Sequence, residues 1–164
     1  MRVSARSSVD IPCSPEVAYD FVTSLEAPAL TFEGEGRIPG VKLTEVVGGG
    51  PLREGATCRV HGTDGAVMER LITVMDRPGR HEYRLASGFK RPLSWLVRSG
   101  HGQWLFTPLP TGQTRVEWTY VFELTSPLSY PFVRFIIIRL FHKAMVKCLQ
   151  RTREHLVSRP APAV

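Results

Sequence analysis

Three cysteines in 164 residues, Cys13, Cys58 and Cys148, are odd in number and far apart. They predict neither a disulfide framework nor a thiolate metal site, and read as reduced, small apolar residues. No apolar run approaches the ~18 residues that would span a bilayer. The FIII run at 135–138 is bounded by Arg134 and Arg139, as buried protein segments often are. The opening MRVSARSSVD has no apolar signal core, so the expected location is cytoplasmic.

The usual catalytic signatures are missing as well. The glycine-rich GGGPLREG at 48–55 lacks the Lys and Ser/Thr of a phosphate loop and leads into a strand rather than a helix. His61, His81 and His101 fall on different predicted strands, and His142 and His155 in the last helix. None has HxH or HxxxH spacing, so no metal and no cofactor is expected. His61 and His101 remain open as pocket acids or bases or as surface groups. The net charge of +6 is scattered, with no basic run and no interleaved aromatic platform, which argues against nucleic acid. Arginine in excess of lysine, with many Pro, Gly and Ala, fits the coding bias of a GC-rich bacterium.

What remains is an ordinary globular composition, 43% hydrophobic and 22% charged, in a chain long enough for one domain with a real core. The expected domain is 1–158, with 159–164 a disordered tail. Residues 129–158 predict a long helix. Ser129 serves as its cap, Pro131 sits in its first turn and Arg159-Pro160 stop it. Val133, Ile137, Leu140, Phe141, Ala144, Met145, Cys148 and Leu149 share one broad face, opposite Arg139, His142, Lys143, Lys147, Gln150 and Arg153. Phe132, Phe135 and Ile136 carry apolar surface round to the other side at the helix start. A loop or helix of the same domain is expected to cover it, with a subunit partner or a membrane as alternatives. Arg134, on the apolar side, either snorkels out or meets a ligand.

SSVDI reads as a first strand, and Ser14-Pro15-Glu16 starts a short helix carrying Val17, Phe21, Val22 and Leu25. A second helical turn in LEAPALTF and a loop through GEGRIPG follow. Strands are then expected in VKLTEVV, TCRVHG, AVMERLITVM, RHEYRLA, within GQWLFTPL, and in TRVEWTYVFEL. GGGPLREG, TDG, DRPG and PTGQ are hairpin turns, too short for crossover helices, so the strands form an antiparallel meander. Val116, Trp118, Tyr120 and Phe122 alternate with polar residues and face the long helix. Trp104 and Phe106 share a side one strand earlier, and Tyr83 alternates with Glu82 and Arg84. These rings either fill the interior or line a pocket. GFKRPLSWLVRSG, with Trp95, reads as an edge strand or a flap over a cavity mouth, with Lys90 and Arg91 available to an anionic head group.

The opening strand with IPCSPEVAYDFV, the segment MERLITVMDRPGRHEYRL, the hairpin FTPLPTGQTRVEWTY and the long C-terminal helix together resemble the START-like (SRPBCC) superfamily. That superfamily has the helix-grip fold and includes polyketide cyclases/dehydrases and lipid-transfer domains. One departure is Phe32, where many relatives carry a Trp. The resemblance implies an α+β fold, a seven-stranded curved antiparallel sheet wrapped around the C-terminal helix, with short helices after strand 1. It also implies an internal cavity for an apolar or amphipathic small molecule.

Candidate ligand-binding residues are then Tyr83, Trp104, Phe106, Trp118, Tyr120, Trp95, Arg134, Phe141 and Met145. Adjacent Glu69 and Arg70 face opposite sides of one strand. Whichever turns inward is a buried charge that can move a proton or polarise a carbonyl. Arg70 or Glu69 with Tyr83 are therefore the candidate catalytic groups. The expected function is binding of a lipid, polyketide or isoprenoid-like molecule. A cofactor-free polyketide cyclase/aromatase is one alternative, and a membrane-peripheral or protein-interaction module the other. The expected partner is that small molecule, with peripheral membrane contact possible. The chain is expected to be a monomer, or a homodimer through Phe132, Phe135 and Ile136.

Overall fold

The computed structural model describes residues 1–158; the expected tail at 159–164 lies outside them. The chain runs β1 (Arg2–Ile11), α1 (Pro15–Val22), α2 (Ala27–Thr31), β2 (Gly34–Glu35), β3 (Ile38–Pro39), β4 (Val41–Val46), β5 (Thr57–Gly62), β6 (Val67–Asp76) and β7 (Arg80–Ser87). It continues through α3 (Leu93–Leu96), β8 (Val97–Pro108), β9 (Thr114–Leu124), a 3-10 turn (Pro127–Ser129), α4 (Tyr130–Phe132), a π turn (Val133–Ile137) and α5 (Ile138–Ser158).

Seven strands form one antiparallel sheet in the order β1-β9-β8-β7-β6-β5-β4, while β2 and β3 make a separate small hairpin. Every strand from β4 to β9 pairs with the next, as short turns require, and β1 closes the edge beside β9. The meander and the long helix are as their patterns predicted, and the α+β helix-grip architecture is the one the resemblance implied. β9 shows the strict alternation of a half-buried strand: Thr114, Val116, Trp118, Tyr120, Phe122 and Leu124 are buried, and the residues between them are half-buried or exposed. The outer face is tied by ion pairs, Arg115 with Asp10 at 2.8 Å and Arg6 with Glu117.

α1 begins as its sequence dictates. Ser14 Oγ accepts from the Val17 N–H at 3.4 Å, Pro15 occupies the first turn and Glu16 complements the helix dipole. The C-terminal helix departs from expectation at its start. The chain turns helical at Pro127, and Ser126, not Ser129, accepts from the Leu128 N–H. The following residues pass through a π turn at Val133–Ile137 before α5 proper. A π turn widens the helix by one residue, and such insertions are often found at functional sites. From Ala144 to Leu156 the predicted apolar face is buried as expected. Phe132, Phe135 and Ile136 are not covered by any loop or helix of the domain; they remain 41%, 65% and 45% exposed.

Other corrections concern extent. β8 is longer than GQWLFTPL, starting at Val97, so the second half of GFKRPLSWLVRSG is one helical turn followed by an interior strand, not an edge strand. GEGRIPG holds the small β2–β3 hairpin rather than a plain loop.

Two glycines of β8 are required by ring packing. Gly102 pairs with Tyr83 on one side and Tyr120 on the other. A Cβ at Gly102 would lie 2.3 Å from Tyr83 Cζ, and one at Gly100 would lie 2.2 Å from the Tyr120 hydroxyl. Both rings therefore lean across β8 where it has no side chain. Gly102→Ala is expected to cost about 2 kcal/mol by overpacking. Gly79→Ala, whose added methyl approaches only the Asp76 carbonyl at 3.9 Å, serves as the control in the same urea titration. Equal midpoints for the two variants would show that Tyr83 does not need the gap.

Candidate functional site

The concave face of the sheet, the long helix and α2 leave a cavity of about 530 Å³ between them. That is within the range of roughly 300–1,000 Å³ usual for small-molecule sites. Its walls are largely apolar. Phe32, Val60, Met68, Leu85, Phe122 and Phe141 contribute, with Phe132 and Ile136 from the start of the helix. Arg37, Asp64, Lys90 and Arg91 stand among the lining residues, and Lys90 pairs with Asp64 at 3.3 Å.

The aromatic wall follows from strand register. His81 of β7, Trp104 of β8 and Trp118 of β9 lie in one row across three strands. The two indoles stack with centroids 4.6 Å apart and planes 10° from parallel. Tyr83, Gly102 and Tyr120 form the next row; Gly102 lets the Tyr83 phenol close over β8, and Gly100 does the same for Tyr120.

Against this wall lies one half-buried cation. Arg70 projects inward from β6, and its guanidinium carbon is 4.9 Å from the centroid of the Tyr83 ring. No carboxylate pairs with it among the described residues, and its Nε is buried without a hydrogen-bond partner. His81 Nδ1 and Trp118 Nε1 are likewise buried and unpartnered. Three polar nitrogens thus line one apolar cavity unsatisfied, at a cost of roughly 1–3 kcal/mol each while they stay so. The Trp118 indole lies near enough to the Tyr83 hydroxyl to influence its ionisation, but the two are not aligned to bond.

Protonation states follow from burial. Desolvation pushes the Tyr83 phenol up to about 12, opposed by the Arg70 charge, and raises Tyr120 well above its ordinary value. Both are neutral donors at physiological pH. Cys148, also on the cavity wall, is raised to about 11 by burial and bonds Thr31 Oγ1 at 3.5 Å, so it is a thiol and not a nucleophile. His81 is lowered to about 4, first by burial and then by the Arg70 charge. It is a neutral imidazole.

Of the residues singled out in the sequence, Arg70, Tyr83, Trp104, Trp118, Tyr120 and Phe141 line the cavity together. Glu69 does not. Strand alternation that turns Arg70 inward turns Glu69 out, opposite Arg59 on β5, so it faces away from the cavity. Phe106 is buried beyond the cavity and packs edge-on against Tyr19 at 5.3 Å. Met145 is fully buried one turn past Phe141 and outside the lining. Arg134 is exposed, pointing away from the cavity, and Trp95 is 62% exposed with Arg91 stacked on it at 5.2 Å. His61 bonds Glu45 and His101 pairs with Glu82 on the outer face. No group of His, Cys, Asp or Glu among the described residues is arranged to hold a metal ion. The residue the sequence reading passed over is His81. The available signal was parity: two positions before Tyr83 on the same strand, it shares Tyr83's face.

The His81 shift has a measurable consequence. Its folded value lies below the ~6.5 of an unfolded histidine, so the unfolded chain binds the extra proton between about 6.5 and 4. Its contribution is complete above about 6.5 and is lost as pH falls toward 4, by a few kcal/mol at most. His81→Gln is expected to flatten the fall in urea midpoint between neutral pH and pH 5; an unchanged slope would place the titration elsewhere.

No curated protein matches the chain. Among solved structures, the ZhuI aromatase/cyclase from Streptomyces sp. R1128 superposes with a TM-score of 0.73 at 13% identity, over 100% of both chains. A Thermus thermophilus protein superposes at 0.72 and 20% identity, over 97% of this chain and 100% of its own. Ara h 8.0201 does so at 0.69 and 14%, over 97% and 100%. At these identities the likeness is one of fold. Residues 2–157 match the family described as polyketide cyclase / dehydrase and lipid transport, within the START-like superfamily, and the chain belongs to it.

Proposed function

We propose that the protein binds a hydrophobic small molecule with an oxygen-bearing polar end, the body against the aromatic wall and the oxygen at Arg70. The lipid, polyketide and isoprenoid classes share this build. The observation that carries the reading is the inward-facing, half-buried Arg70, whose Nε is buried without a hydrogen-bond partner and which has no carboxylate beside it among the described residues. A buried charge is tolerated when something pairs with it, and an apolar cavity leaves that task to a ligand carbonyl, enolate or carboxylate. Trp118 Nε1 is a second unused donor on the same wall. The family description, which joins cyclase chemistry with lipid transport, supports the same class.

A second reading, a cofactor-free cyclase, is favoured by His81. Its neutral imidazole stands beside Arg70 with a ring nitrogen free. A base there takes a proton from a carbon next to a ligand carbonyl while Arg70 holds the resulting enolate oxygen. The enolate carbon then bonds to a second carbonyl carbon of the same chain. That carbonyl oxygen takes the proton back to become a hydroxyl, and loss of water completes an aromatic ring. Tyr83 and Tyr120, both protonated, shape the chain rather than donate their protons fully.

Native mass spectrometry of the purified protein, followed by denaturing extraction, is the test. The wild type is expected to carry a small apolar molecule. Arg70→Met is expected to lower its retention at least about tenfold, while raising the stability of the empty protein by roughly 1 kcal/mol, because a buried donor without a partner is removed. Unchanged retention together with lower stability would make Arg70 a packing residue. On the cyclase reading, His81→Gln slows ring closure about a hundredfold or more with ligand retention unaltered. Equal loss of both would leave binding alone.

A further inference from the structure

Around the cavity mouth the molecule leaves large apolar side chains in solvent. Leu128 is 90% exposed, Phe135 65%, Trp95 62%, Ile136 45% and Phe132 41%. They belong to one region. Leu128, Phe132, Phe135 and Ile136 are spaced three and four apart along one helical segment. Thr125, three residues before Leu128, donates from its hydroxyl to the Trp95 carbonyl at 2.6 Å and from its N–H to the Leu96 carbonyl at 3.0 Å, fastening α3 beside that segment. Phe132 and Ile136 line the cavity together with Lys90 and Arg91.

Apart from Asp64, which pairs with Lys90, the charge around these side chains is positive. Between Glu82 and Glu117, and again between Glu123 and Glu154, the sequence contains no Asp or Glu. These two stretches supply α3, its approach and the whole start of the C-terminal helix, with Lys90, Arg91, Arg98, Arg134 and Arg139. Of these, only Lys90 meets a carboxylate among the described residues. Arg91 stacks on exposed Trp95, placing an indole and a cation at one point.

Exposed aromatic and aliphatic side chains flanked by cations, with Asp64 at Lys90 as the one anion among the described cavity-lining residues, match the layered chemistry of a lipid surface: phosphate outside, acyl chain inside. We propose that this end of the molecule docks on an anionic membrane, with Trp95, Leu128, Phe132, Phe135 and Ile136 entering the interface and Arg91, Arg134 and Arg139 meeting lipid phosphates. The cavity mouth then faces the bilayer. A second copy of the chain is a poorer occupant, because a two-fold interface would bring two sets of cations together without a carboxylate to separate them. The docking surface stands whether or not the cavity holds a ligand.

Flotation of the full chain with phosphatidylcholine vesicles, with and without phosphatidylserine, tests it. Binding is expected only when phosphatidylserine is present, falling as salt is raised, with a blue shift of Trp95 emission that Trp95→Phe removes. Arg134→Glu and Arg139→Glu are each expected to weaken binding about fivefold or more, following the ~1 kcal/mol that one cation near such a surface contributes. Phe135→Asp is expected to abolish it. All four side chains are exposed, and unchanged circular dichroism would verify the fold of each variant. Equal binding to both vesicle types, or no binding to either, overturns the proposal. So does a dimer in sedimentation that Phe135→Asp dissociates while vesicles have no effect.

Discussion

A helix about 10 Å across cannot cover seven strands spaced ~4.8 Å apart, a breadth of roughly 29 Å. Everything distinctive here follows from that mismatch. The sheet curves to meet the helix, α1 and α2 close part of the remaining face, and the rest is left as a cavity. The last helix is correspondingly divided. Its C-terminal half, from Ala144 to Leu156, packs against the sheet like any core helix. Its first half meets the cavity with Ile137, Leu140 and Phe141 and meets solvent with Phe132 and Phe135. The π turn lies in that first half, anchored to the core by Val133 while Arg134, Phe135 and Ile136 stand in solvent.

The cavity also reverses the usual logic of polar groups. In a filled core, Arg70, His81 and the Trp118 N–H would have been paired off or replaced by aliphatic side chains. Here they share one largely apolar cavity, and the Arg70 charge acts on its neighbours. The Arg70 charge lowers both the imidazole and the Tyr83 phenol relative to what burial alone would give. Because desolvation dominates in each case, the site keeps neutral acid and base groups around one fixed positive charge, an arrangement suited to an oxygen that is partly or wholly negative.

Much of this was legible in the sequence, for definable reasons. Short Gly- and Pro-bearing turns between alternating segments specify a meander, and β9 with its buried row from Thr114 to Leu124 needs no tertiary information. Alternation also put Tyr83, Trp118 and Tyr120 on the inner face. It should have brought His81 with them. Alternation fixes which residues share a face but not which face is the inner one, which is why Glu69 and Arg70 could not be separated until the cavity was seen. Phe106 and Met145 face inward as their periodicity says, yet at places where the core is filled; no local pattern distinguishes a packed inward position from an open one. In the sequence Trp95 stays open between an edge strand and a flap because LSWL has apolar content without period, and a single helical turn is too short to display one.

The stacked pair of Trp104 and Trp118 makes the cavity an optical site as well as a chemical one. Two parallel indoles at 4.6 Å couple their electronic transitions, so this wall imposes a strong signature on the near-ultraviolet circular dichroism, set by the angle and distance between the rings. The third tryptophan, Trp95, stands in solvent beside Arg91 and contributes to emission from a different environment. The molecule therefore carries two separate native chromophores: one that responds when something presses on the cavity wall, and one that responds when something approaches its mouth.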